Sequence, residues 1–214
     1  MYLLAPTLMN LSQEIFVKEV RARFGSELRR LGAFTQLCLL GAQACLEASG
    51  TAGSLGVLLA TENGGLTAAR AALDDGLRRG EPMMPFTFIA TQTNLAGALL
   101  ARREHDVARA ACLYLGAQDW PWLLRIARSW LAQCERVAVG WVEDAARGEP
   151  HRSHWCLLVR EAAAGIRCQP AEAGAAATTN DWIARVAAWR SAPGAPLELR
   201  GAHQGWRFTS HRRA

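Results

Sequence analysis

The chain has 214 residues, half of them hydrophobic and one fifth charged, an ordinary globular composition that suits one well-buried core and gives one domain as the expectation. The formal charge of +5 leaves room for an acidic partner. The positive residues are mostly arginines spread along the chain, however, which is the usual pattern of a solvated surface.

Met1-Tyr2-Leu3-Leu4-Ala5-Pro6 has no basic leader and too short an apolar run for a secretory signal. Tyr2 to Leu4 reads as a strand that can extend past Pro6. A short amphipathic stretch follows, with Ile15, Phe16, Val20 and Phe24. Ser26 suits the N-cap of a long helix to about Ala48, with Leu31, Phe34, Cys38, Gly41 and Cys45 on one face and Gly50 ending it. The longest uncharged run, Leu31 to Leu46, contains Gln36 and Gln43 and is short for a bilayer span. It therefore predicts a buried helix in a cytoplasmic chain with no membrane span.

Leu55 to Ala60 is a buried strand. It runs into Thr61-Glu62-Asn63-Gly64-Gly65, where a glycine pair lets the backbone turn sharply. Leu66, Ala69, Leu73 and Leu77 mark the next helix, which Gly80-Glu81-Pro82 breaks. Thr93 or Asn94 caps a short helix to Arg102 or Arg103. Ala110 to Leu115 is a buried strand, Pro121 opens a helix to about Ala132 with Asp119 as its cap, and Val137 to Val142 is a strand. Trp155 to Arg160 is a further strand. Ala171 to Thr179 reads as a flexible linker, Asp181 caps a helix to about Trp189, and Leu197 to Arg200 pairs with Trp206 to Thr209 as a hairpin. Strands alternating with helices predict an α/β domain with a mostly parallel sheet.

None of the six cysteines forms a Cys-x-x-Cys pair, so neither a zinc site nor any other metal or cofactor is expected. Cys38 and Cys45 lie about 10 Å apart along a helix, too far to share one ion. His151 and His154 are three residues apart without a third ligand nearby. The other histidines, His105, His203 and His211, fall in polar or basic contexts. No Walker or dinucleotide fingerprint occurs, and no recognition-helix motif supports nucleic-acid binding by the basic tail, Arg207 to Arg213.

The order strand, Gly64-Gly65 turn, helix, Met84-Pro85-Phe86, Asn94 and Ala96-Gly97 resembles the N-terminal half of the β-ketoacyl synthases of the thiolase-like superfamily. Arg29-Arg30-Leu31-Gly32-Ala33-Phe34-Thr35 and Ala44-Cys45-Leu46-Glu47-Ala48-Ser49-Gly50 look like the two ends of a synthase helix. Val137-Ala138-Val139-Gly140 looks like a synthase strand that ends in Gly-Gly, with Trp141 in place of the second glycine. The likeness covers roughly residues 28 to 159. It is nearest to short ketosynthase-like proteins of bacterial aryl-polyene pathways and to the chain-length factors of aromatic polyketide systems.

The resemblance implies a thiolase-like half: a mixed, mostly parallel five-stranded sheet with helices on both faces. It would be one domain over residues 1–214, with a C-terminal extension from about 171. A synthase needs a cysteine nucleophile at the turn after the strand 110–115, and two histidines from a second half. No cysteine occurs from Leu113 to Gln133, and Gln118 stands at or near the nucleophile position. The implied function is a non-catalytic subunit, a chain-length factor, that pairs with a full β-ketoacyl synthase and shapes its acyl pocket. Phe86, Phe88, Ile89, Asn94, Gln118, Trp120 and Trp122 are the pocket or interface candidates. Arg29, Arg30, Arg78, Arg79, Arg102 and Arg103 are the candidates for docking an acidic acyl carrier protein. The alternative is a standalone acyltransferase or thioesterase using Cys112.

Overall fold

The computed structural model describes residues 1–78, 80, 84–116, 118–145, 149–162, 164–172, 182–192, 195–200 and 204–212, the side chains of 211 and 212 excepted. Its elements are β1 (Tyr2–Leu11), α1 (Gln13–Phe24), α2 (Ala33–Ser49), β2 (Leu55–Thr61), α3 (Leu66–Arg78), α4 (Pro85–Ala90), α5 (Leu95–Arg103) and β3 (Val107–Tyr114). There follow α6 (Pro121–Trp130), β4 (Arg136–Glu143), β5 (His151–Val159), β6 (Ala164–Ala171), α7 (Trp182–Ser191), β7 (Leu197–Arg200) and β8 (Gly205–Arg212).

All eight described strands form one sheet in the order β3-β2-β4-β5-β1-β6-β8-β7. The expected five-stranded, mostly parallel sheet is corrected. Only β2–β3 and β2–β4 are parallel, while β4–β5, β5–β1, β1–β6, β6–β8 and β8–β7 are antiparallel. The first five strands do form a contiguous block, β3-β2-β4-β5-β1, in which β5 alone runs against the rest. The C-terminal strands then extend the sheet beyond β1. The hairpin of β7 and β8 pairs as its sequence predicts. The linker expected at 171–179 and the Asp181 cap lie almost wholly outside the described residues.

Helices do cover both faces. β2 and β4 are buried along their whole length, as strands sandwiched between helices must be. Alternate residues feed two cores. Leu58, Ala60, Val137, Val139 and Trp141 join α6 and α7 on one face. Leu55, Val57, Leu59, Ala138 and Val142 join α1, α2 and α5 on the other. Gly41 lets α2 press on β5: a Cβ there would fall 2.2 Å from Ser153 Oγ and 2.4 Å from Trp155 Nε1.

Three boundaries differ from the sequence reading. The long helix starts at Ala33, not after Ser26, because Gly25 turns the chain at φ 59° and residues 26–31 make tight turns that the Gln36 amide ties down through Leu28 O (2.8 Å) and Leu31 O (2.9 Å). Ser12 is the serine that caps a helix, accepting from the Ile15 N–H at the start of α1. Asp119 makes no side-chain cap on α6, whose N-cap is Trp120.

Candidate functional site

Parallel strands β2, β3 and β4 end together, and their following turns form the region where an α/β sheet presents its chemistry. At the end of β2, Gly64 adopts φ 57°, and a Cβ there would meet Tyr114 Oη at 2.6 Å. The turn is organised by Glu143 at the end of β4, a carboxylate only 4% exposed. It accepts from the backbone N–H of Glu62 (2.6 Å) and Asn63 (3.2 Å), from the Thr61 hydroxyl (3.3 Å) and from the Asn63 amide (3.4 Å). Thr61 Oγ1 in turn accepts from Gly64 N–H at 2.7 Å. The amides of Glu62, Asn63 and Gly64 are thus taken by the chain's own side chains.

The turn between β3 and α6 carries Gln118, which is exposed and lines a shallow cleft with Pro121, Trp122, Arg125 and Gln204. Behind it the interior is filled with indole. Trp120 is fully buried and stacks on Trp182 with ring centroids 5.4 Å apart, and Trp141 is buried in the same core. Trp122 is 40% exposed under the Arg125 guanidinium. The sequence reading therefore grouped two tryptophans that the fold separates: Trp120 is core and Trp122 is surface.

Cys112, the nearest thiol, lies on β3 and lines an open groove of about 400 Å³ between α5 and β3, together with Asn94, Gly97, Ala101 and Ala110. Burial pushes its pKa up, with a bond to Thr93 opposing, so the thiolate is disfavoured. Burial likewise raises the Cys38 and Cys156 thiols, and pushes those of Cys45 and Cys168 up to about 12.

β3 is the edge of the sheet, so one side of its backbone is unpaired among the described residues. Leu73 and Leu77 of α3 and Phe86, Phe88 and Ile89 of α4 stay exposed, Leu77 at 81% and Phe88 at 55%. α4 itself was not foreseen in the sequence. It packs on α3, and its last residue approaches Gly32. Arg30 lies over Phe86 at 5.0 Å. Arg103 pairs with Glu27 at 2.5 Å and covers Phe24, which brings the α5 end and the Arg29-Arg30 turn side by side. Arg78 pairs with Asp74 at 3.1 Å, and Arg102 is exposed at the end of α5. Arg79 lies outside the described residues.

His151 and His154 do not converge. His154 Nε2 meets Asn10 Oδ1 at 3.1 Å, whereas His151 is buried against Asp144, Gln13 and Phe16. Among the described residues no three His, Cys, Asp or Glu side chains are placed to hold a metal ion. Among the same residues no helix is long and apolar enough to cross a membrane. Glu143 and Asp144 were missed as site residues. Their signal was available: two acids directly after the buried strand 137–142, at the carboxyl end of a parallel strand.

No protein-family model matches the chain, and no curated protein matches it. Solved structures do. One chain of the complex of the ketosynthase ApeO with its chain length factor ApeC from Xenorhabdus doucetiae superposes with a TM-score of 0.68 at 13% identity, covering 98% of this chain and 99% of that one. The ishigamide ketosynthase/chain length factor matches at 0.54 and 17% identity over 70% of this chain and 52% of its own. A type II polyketide ketosynthase and acyl-carrier-protein complex, AntDE:AntF, matches at 0.53 and 14% identity over 75% and 57%. The chain thus spans about half the length of the last two and nearly all of the first. Its fold is similar to that of chains in ketosynthase and chain-length-factor complexes.

Proposed function

We propose that this chain is a non-catalytic ketosynthase-like subunit, a chain-length factor that pairs with a full β-ketoacyl synthase and limits the acyl pocket of that enzyme. The observation that carries this reading is the turn between β3 and α6. Decarboxylative condensation needs a thiolate at this helix start, and the chain offers Gln118, two residues before the buried Trp120. Glutamine neither ionises nor attacks a thioester. Cys112, on which a standalone acyltransferase or thioesterase would depend, sits back in the strand with its thiol held protonated by burial.

Pairing would use the free edge of β3, where main-chain groups accept a partner strand, and the exposed apolar side chains of α3 and α4. Phe86, Phe88 and Ile89 would face the partner and set the depth of its pocket. Arg29, Arg30 and Arg102, gathered by the Arg103–Glu27 contact, would attract an acidic carrier protein. Co-expression with a full-length β-ketoacyl synthase from the same genome, followed by size-exclusion chromatography, tests the reading. A stable hetero-oligomer is the expected result. A soluble monomer that ignores the synthase overturns it.

A further inference from the structure

His151 has two incompatible suitors for one nitrogen. Nδ1 accepts the backbone N–H of Ala145 at 3.2 Å, which requires that Nδ1 carry no proton. The proton of the neutral ring is therefore on Nε2, which donates to Gln13 Oε1 at 2.6 Å. The Asp144 carboxylate faces the same Nδ1 at 3.4 Å, an approach that becomes a hydrogen bond only when Nδ1 is protonated. Both side chains are at most 4% exposed, and the ring lies 4.6 Å from Phe16, so the imidazole is held between β4, β5 and α1.

We propose that His151 is an acid-operated switch: on gaining a proton it exchanges Ala145 for Asp144 and loosens the end of β4. The exchange moves one proton from water to Nδ1 and breaks no covalent bond. The Ala145 N–H loses its acceptor, and the Asp144 carboxylate turns toward the imidazolium. Asp144 also accepts from Thr67 on α3 and lines a cavity of about 200 Å³ with Asn63, Arg70, Glu149 and Arg152, so the exchange alters that cavity. The other charged or titratable groups on the elements around the ring are Arg136 and Glu143 on β4, Arg152 and His154 on β5, Glu14, Lys18, Glu19, Arg21 and Arg23 on α1, and Arg70, Asp74, Asp75 and Arg78 on α3. Glu143 is already engaged by the β2–α3 turn. Burial lowers the His151 pKa while Asp144 raises it, so the switch works below the ordinary imidazole value of about 6.5.

Amide hydrogen exchange of the full chain between pH 7.5 and 5, corrected for intrinsic rates, tests this. Protection of Ala145 should fall about tenfold with acid, as expected when one hydrogen bond is lost, while that of Val142 persists. In His151→Gln the protection of Ala145 should not vary with pH. In Asp144→Asn, which removes the charge that attracts the proton, the wild-type transition should move to lower pH. Nitrogen chemical shifts at pH 7.5 should place the proton on Nε2. Flat protection in the wild type, an unchanged transition in Asp144→Asn, or an Nδ1–H tautomer at pH 7.5 overturns the proposal.

Discussion

Replacing Glu143 with alanine tests how the β2–α3 turn is held. The carboxylate takes two backbone N–H groups at 2.6 and 3.2 Å and two side-chain donors at 3.3 and 3.4 Å, across about eighty residues of sequence. A hydrogen bond to a charged group contributes about 1.5–3 kcal/mol, and a buried donor left unpaired costs about 1–3 kcal/mol. Glu62 and Asn63 are exposed, so water can recover part of the loss at those two amides. Thr61 is fully buried and has no such recourse, although its hydroxyl still serves Gly64. The sum for Glu143→Ala is a destabilisation of about 2–4 kcal/mol, with Glu143→Gln near half of that because one acceptor oxygen survives. Urea unfolding of both variants measures the loss, and hydrogen exchange should show it concentrated at Glu62 and Asn63. A Glu143→Ala protein within about 0.5 kcal/mol of wild type would refute the claim that this carboxylate organises the turn.

Gly41→Ala should destabilise by about 2 kcal/mol despite a helix-propensity gain of about 1 kcal/mol, because the new methyl displaces Ser153 and Trp155. An increase in stability on urea titration would show that α2 has room to move away. Iodoacetamide at pH 7.5 should label Cys112 more slowly in the native protein than in urea, since burial raises its pKa; fast, selective labelling would revive the enzymatic alternative. The depressed His151 pKa has a defined sign. Its contribution to stability is complete above the unfolded value of about 6.5 and is lost as pH falls through that value toward the folded one. Asp144, raised by burial, acts in the opposite sense: its contribution is present below its ordinary 3.8 and is lost as pH rises through its raised folded value. Between pH 7.5 and 5.5 the wild type should therefore lose more stability than His151→Gln, and equal losses would contradict the assignment.

Much of the fold was legible because its central strands are short-range signals. Leu55 to Ala60 and Val137 to Val142 are continuous apolar runs between glycines or polar turns, and both are fully buried strands. What escaped was set by distance or by local competition. β6, Ala-Gly-Ile-Arg-Cys-Gln-Pro-Ala, has loop-like composition and becomes a strand only because β1 and β8 flank it. Ser26 looked like a cap, but Gly25 at positive φ turns the chain first. Six-residue α4 was too short to show a period and rests on α3 and the Gly32 turn. At the site, the absence of a thiol near Gln118 could be read directly from the sequence. The grip of Glu143 on residues 61–63 and of Asp144 on His151 could not, since each depends on strands meeting in space.

The most direct test of the central claim is condensation measured with malonyl-loaded and acyl-loaded carrier protein for three samples: this chain alone, a full-length β-ketoacyl synthase alone, and the co-purified pair. The account predicts no turnover by the isolated chain, and activity of the pair that is abolished by removing the synthase's own nucleophile and changed in product length by Phe86→Ala or Phe88→Ala here. Turnover by the isolated chain, or a pair whose activity survives loss of the synthase nucleophile, would contradict it.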